Sequence, residues 1–340
     1  MPTDRALLVA AGGGLGDTLL ATVVARALRT KYARVDALVL PEHRELAERV
    51  PDLDRVYASR ASTLGDLSAV RAERFDAAAV TWATLRTALV PFLARIPARA
   101  GQSRRLYSAL FNRRVAVRSE HGDRATHWTQ ILLDYARALG ADALDSRPRF
   151  VPTAADRADA AALLRVHDVH GIFALLHPTR GLSAQRRRWP IAGFVELARA
   201  LTARDDVPLL VTGSSDDAAI AHAVASGAGR GVVSIAGATT IGGFGALAER
   251  AAYVVAMDSG PMHVAAATGA PTVGVFALQS DEPRRWAPLG ARTAVVTPSY
   301  PCPPRHRKET CPDFACVRAL DVARILAATE AVRSDAVERC

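Results

Sequence analysis

Short apolar runs alternate with amphipathic stretches along the whole chain. In the first half, Ala6–Ala11 reads as a strand, followed by a glycine loop and a helix from about Asp17 to Thr30. Leu19, Leu20, Val23, Val24, Ala27 and Leu28 of that helix fall on one stripe at helical spacing. Val35–Leu40 and Asp76–Thr81 read as further strands. In the second half "IFALLHP", "PLLVTGSS", "GVVSIAG", "YVVAMDSG" and "TVGVFAL" are apolar runs that end at Gly, Pro, Ser or Asp, with helical patterns at Phe194–Ala203 and Phe244–Ala251 between them. Strand–helix alternation of this kind predicts an α/β protein with parallel sheets covered on both faces. Between the halves, "ADALDSRPRFVPTAADRADAA" is weak in periodicity, and a linker is expected near residues 142–156. The expected architecture is two doubly wound domains, each turning the carboxyl ends of its strands toward a shared cleft.

Three strand ends carry candidate chemistry. In "YVVAMDSGPMHVAAATGAPTVGVF" the run Tyr253–Met257 meets Asp258, Ser259, Gly260 and Pro261, and a short helix must cross to the next strand. Pro261 suits the first helical position and Gly269 a helix stop. Free amides at such a helix start, with Gly260 permitting close approach, make an anion site, and His263 one turn later can add a donor. Asp258 would repel phosphate and is better placed for sugar hydroxyls. An ordinary capped helix fits the same residues.

The second strand end, "AAGGGLGDTLLATVVARALR", lacks both the dinucleotide fingerprint and the Gly-Lys-Ser/Thr of a P-loop. It offers Asp17 in the first turn of a helix beyond a flexible loop, where the dipole favours the ionised form and a general base can act. A plain N-capping role is the simpler alternative. The third, "HPTRGLSAQRRRWPIAGFVELARAL", sets three arginines before a helix opened by Trp189-Pro190, well placed to clamp a diphosphate, though solvated charge reads the same way.

Together these stretches resemble glycosyltransferase family 9, the heptosyltransferases of the lipopolysaccharide inner core. "GGGLGD" looks like the family's N-terminal Gly-Asp motif, "RRWP" with "FVELA" like its Lys-Arg-Trp-Pro segment, and "MDSGPMHVAAATGAPTVGVF" like its Asp-Ser-Gly-Pro-Met-His signature; "DEPRRWAPLG" continues the likeness. The resemblance implies a GT-B fold, an α/β arrangement of two Rossmann-like domains facing a central cleft. Residues 1–150 would bind the acceptor and residues 151–340 the nucleotide-sugar, with the final helix packing back on the first domain. It implies an inverting, metal-independent transfer of heptose from ADP-heptose, with no cofactor. Asp17 then matches the catalytic base, with Gly14 and Gly16 in the loop near the sugar. Thr179, Arg187 and Arg188 match the phosphate-contacting segment, and Thr239 a position near the adenine. Asp258 matches the acid beside the donor sugar, and Ser259, Gly260, Pro261 and His263 the diphosphate-binding helix start. Asp216 or Asp217 aligns loosely with a ribose contact. Arg187 replaces the usual Lys, Val23 stands where Pro is common, and "FALQSDEP" departs from the family's donor loop. A protein or natural-product acceptor, or a nucleotide-sugar 2-epimerase of the same architecture, remains as an alternative.

Composition sharpens this picture. The 340 residues hold 43 Lys+Arg against 34 Asp+Glu, a net charge of +9. Nearly all the cations are Arg, which suits bidentate contact with phosphate or carboxylate; a GC-rich genome would give the same bias. Arg86, Arg95, Arg99, Arg104, Arg105, Arg113, Arg114 and Arg118 gather among apolar residues and would suit an acidic lipid core at a membrane surface. Aromatic interleaving is too sparse for nucleic acid. The N-terminus lacks a secretory signal, and no apolar run approaches the roughly 18 residues of a membrane span. A cytoplasmic protein, peripheral on the inner membrane, is expected. "PCPPRHRKETCPDFACVRALD" holds Cys302, His306, Cys311 and Cys316, four potential ligands that could bind Zn²⁺ or iron but whose spacings match no common zinc finger, and Asp52-Leu53-Asp54 reads as a turn; the expectation is against a metal site, with binding by these four as the alternative.

Overall fold

The computed structural model describes residues 4–179, 189–278, 282–300, 302, 311 and 314–334. Two compact units divide the chain, Met1–Val151 and Pro152–Cys340.

In the first unit the described strands are β1 (Arg5–Ala10), β2 (Arg34–Val39), β3 (Arg55–Ala58), β4 (Ala77–Val80), β5 (Ala98–Gln102) and β6 (Arg113–Val115). Its helices are α1 (Leu15–Leu28), α2 (Arg44–Ala47), α3 (Thr63–Val70), α4 (Leu85–Leu93) and α5 (Trp128–Arg137). The strands form one sheet in the order β3-β2-β1-β4-β5-β6, every pair parallel. Ala6 through Ala10 of β1 and all of β4 are buried, as strands covered on both faces must be. The chain winds outward from β1 to β3, returns, and winds the other way from β4. The switch between directions falls between β1 and β4, where ligands of open α/β sheets bind.

The second unit opens with α6 (Ala154–Val166), then β7 (Ala174–His177), α7 (Ile191–Asp205), β8 (Leu209–Val211), α8 (Ala218–Ala228) and β9 (Val232–Ser234). It continues with α9 (Ile241–Arg250), β10 (Val254–Met257), α10 (Gly260–Ala267), β11 (Thr272–Val275), α11 (Pro283–Trp286), β12 (Thr293–Val296) and α12 (Val322–Ser334). Its sheet runs β12-β11-β10-β7-β8-β9, again all parallel, with the switch between β7 and β10.

One expectation needs correction. The expected linker ends inside α6, whose Ala-rich sequence hides its period; Thr153 accepts the Asp156 N–H while Asp156 reaches back to the Thr153 N–H at 2.7 Å. The helix α12 packs on α7, β11 and β12 of its own unit. Its Arg333 donates to Asp205 at the end of α7 at 2.6 Å, beside the Tyr253 hydroxyl that donates to the same carboxylate at 2.6 Å. Asp52 and Asp54 are bound to arginines, Asp52 to Arg26 and Arg149 and Asp54 to Arg29 at 2.7 Å.

Candidate functional site

The first unit places Asp17 at the third position of α1, just past the β1 end of the switch. Gly14 caps the helix, and its N–H donates to Asp17 Oδ2 at 2.8 Å, the reciprocal half of a capping box. The capping role is therefore real, and it fixes the carboxylate rather than hiding it. Burial pushes the Asp17 pKa up, against the lowering effects of the Gly14 amide and of His43. Desolvation thus works against the ionised form that the helix dipole favours. Gly16 lies inside the helix, which starts at Leu15, earlier than the sequence suggests; Gly14 stays at its mouth.

Residues without a sequence signal complete this corner. His43 is buried, with Nδ1 2.8 Å from Thr18 Oγ1, and burial lowers its pKa. Trp82, just past β4, lies beside β1 in the sheet order and covers the glycine loop. Asp17, Gly12, Thr81, Trp82 and Trp128 line one recess. Only the β1–β4 pairing brings Trp82 there, so no local pattern could have shown it. Arg86 is occupied nearby: it binds Asp66, and its guanidinium donates to Ser59 Oγ at 2.9 Å.

The second unit places Asp258, Ser259, Gly260, Pro261 and His263 at the β10 end of its switch. Ser259 is the N-cap of α10, yet its hydroxyl donates backward to the Met257 carbonyl at 2.8 Å and caps no helix amide. Gly260 takes the first helical position and Pro261 the second, one later than expected. Pro261 has no N–H, so the open first turn presents the Gly260 and Met262 amides, where the helix dipole favours an anion. His263 is buried beneath this turn.

Across the switch, β7 ends at His177, whose Nδ1 lies 2.9 Å from Thr212 Oγ1. Burial drives its pKa down to about 4 despite the charge of Asp217. Thr179 is buried with its hydroxyl 3.4 Å from His177 Nε2. Arg187 and Arg188 lie outside the described residues. Thr239 is partly exposed just before Thr240, which caps α9 by accepting the Gly243 N–H at 3.2 Å. Asp217 is buried and accepts from Ser214 Oγ at 2.7 Å, which leaves the exposed Asp216 as the free carboxylate of the pair.

Of the cysteine-rich segment, Cys302, Cys311 and Cys316 are described and His306 is not. Burial, then the neighbouring Cys302 and Cys311, push the Cys316 thiol up. Among the described residues no group of three or more His, Cys, Asp or Glu is placed to hold a metal ion.

Comparison with known proteins bears on the fold and the family. No curated protein matches the chain. A solved glycosyltransferase family 9 protein from Veillonella parvula is similar at 18% identity, with a TM-score of 0.82 and 98% of each chain covered. The Escherichia coli ADP-heptose lipopolysaccharide heptosyltransferase II follows at 19% identity and TM-score 0.77, covering 97% of this chain and 99% of that one. The E. coli heptosyltransferase WaaC, solved with ADP, gives 17% and 0.70, covering 96% and 99%. Likeness at such identities speaks for the fold, which is GT-B. The family model described as glycosyltransferase family 9 (heptosyltransferase) matches residues 67–313. That match spans well over half of the sequence, and the chain belongs to glycosyltransferase family 9.

Proposed function

We propose that this glycosyltransferase moves a heptose from ADP-heptose to the anionic inner core of lipopolysaccharide, inverting the anomeric centre without a metal. The observation that carries this reading is the uncapped first turn of α10. A serine at an N-cap normally fills a helix amide, and Ser259 instead turns away and leaves the amides open at the switch of the second sheet. Two amides that meet no acceptor among the described residues, at the positive end of a helix dipole, suit the charge of a nucleoside diphosphate, and two of the similar E. coli structures are named for ADP-heptose or hold ADP.

The chemistry follows from the residues. Asp17 takes the proton of an acceptor hydroxyl as that oxygen forms a bond to the anomeric carbon. The bond from that carbon to the β-phosphate oxygen breaks, and ADP leaves with its gained charge. Donors aimed at that charge are the larger catalytic contribution, on the order of 10²–10³ in rate for one donor. The Gly260 and Met262 amides supply it in this reading, joined by Arg187 and Arg188, with Asp258 on the sugar, Thr239 near the adenine and Asp216 near the ribose. The acceptor meets the first unit, at the cytoplasmic face of the inner membrane. The arginine-rich stretch supports an anionic acceptor there: residues 77–119 contain eight arginines and no acid.

Purified protein incubated with ADP-heptose and heptose-free lipopolysaccharide core tests the reading. Heptosylated product of inverted linkage, formed equally in EDTA, is expected. An epimerised nucleotide-sugar in the absence of acceptor would mean an isomerase, and transfer abolished by EDTA would remove the metal-free mechanism.

A further inference from the structure

Trp82 is an indole held open beside a carboxylate. Its ring lies lengthwise over the glycine loop: a Cβ at Gly12 would overlap the five-membered ring, and one at Gly13 would come within 2.9 Å of the six-membered ring. Gly13 also has φ +76°, in the left-handed region that favours glycine. Two bare glycines are thus what lets the indole settle against the backbone. Despite that cover, 42% of Trp82 is exposed, and among the described residues its indole N–H donates to no protein acceptor. An aromatic ring of this size is normally buried or partnered. The loop that carries it is fixed from both sides. Thr87 Oγ1 donates to the Trp82 carbonyl at 3.0 Å, and Tyr107 Oη donates to the Ala83 carbonyl at 2.6 Å. The ring therefore stands ready before any ligand arrives.

The recess that Trp82 shares with Asp17, Thr81 and Trp128 has room for about one water-sized group. It is too small for a sugar ring and large enough for a single hydroxyl. From this arrangement we infer that Trp82 is the platform for the accepting sugar: the apolar face of the pyranose lies on the exposed indole, and one hydroxyl dips into the recess toward Asp17. The ligand is a saccharide whose ring carries a hydroxyl directed toward the platform, and a flat or purely anionic ligand would leave the recess empty. Trp82 then decides which hydroxyl meets the base. This rests on the reading of the first unit as the acceptor side.

The test uses the full chain, Trp82→Phe and Trp82→Ala, with de-O-acylated heptose-free lipopolysaccharide core as probe. In transfer assays Trp82→Ala should raise the acceptor KM on the order of tenfold, the scale of one aromatic contact, with kcat changed less than about threefold. Trp82→Phe should recover most of the loss, and ADP affinity by calorimetry should be the same in all three proteins. Without donor, the core should quench the intrinsic fluorescence of the native protein and lose most of that quench in Trp82→Phe. A KM unchanged in Trp82→Ala, or a quench identical in Trp82→Phe, overturns the platform even where transfer proceeds. Quench by the core without any transfer keeps the platform and rejects the heptosyltransferase reading. Unchanged melting of Trp82→Phe guards against a loop that has merely come loose.

Discussion

At the scale of single residues, Asp17 joins two duties that usually compete. One oxygen holds the start of α1 through the Gly14 amide, and the carboxylate as a whole is kept partly out of water. A base must be ionised to take a proton, and burial raises the pKa at which ionisation occurs. Transfer should therefore fall as the pH drops through a midpoint above the ordinary carboxylate range, and pH profiles of kcat/KM would show it. Asp17→Asn keeps the cap geometry and removes the base; kcat should drop by about 10²–10⁴ while ADP affinity stays unchanged in calorimetry. A comparable loss of ADP binding would assign Asp17 another role. Asp17 and the Asp258–His263 motif were legible in the sequence because they sit where apolar runs break into polar, glycine-containing corners. Trp82 and His43 were not: each reaches the corner only through pairing of distant strands or packing of a turn against α1.

At the scale of elements, the helix starts differ in what their caps do. Thr240 fills an amide of α9 and Ser62 one of α3, whereas Ser259 fills none of α10. Thr240→Ala should cost about 1 kcal/mol in denaturant unfolding. Ser259→Ala should cost well under that, and only a change in ADP affinity would reveal the residue. Equal costs for the two variants would mean that Ser259 is a structural cap after all. The buried apolar elements β1, α1 and β10 were readable within a residue or two from their patterns, and β11 from its first residue. Missed were β3, partly exposed along its length, β5, which reads Ala-Arg-Ala-Gly-Gln, β6, a three-residue edge strand reading Arg-Arg-Val, and the edge strand β12. Short edge strands carry too little periodicity to declare themselves, and α6 spells its amphipathic face mostly in alanine, which is nearly neutral to the pattern.

At the scale of the whole molecule, two collective properties can be measured. His177 is buried neutral in the second unit, with a pKa near 4 against the usual 6.5, and burial lowers that of His43 in the first. Below pH 6.5 the unfolded chain takes up protons that the folded chain refuses, so stability is full above that point and is lost as the pH falls toward 4. Melting temperatures should follow this slope, and His177→Asn should flatten it. The arginines divide by environment. Arg86, Arg104 and Arg118 pair with Asp66, Glu120 and Asp134, and Arg99 turns to the Leu110 carbonyl, while Arg95, Arg105, Arg113 and Arg114 stand exposed. Flotation should show binding to phosphatidylglycerol-containing vesicles that fades with added salt, and none to phosphatidylcholine alone; salt-insensitive binding would deny a role to these charges. A last consequence comes from the strand orders. Read outward from its switch, each sheet repeats the other's winding although the two halves share no recognisable sequence repeat. Each half thus has its own switch point with its own loops, so under the proposed function a substitution in the loops of one can alter what that half binds while the other keeps its preference.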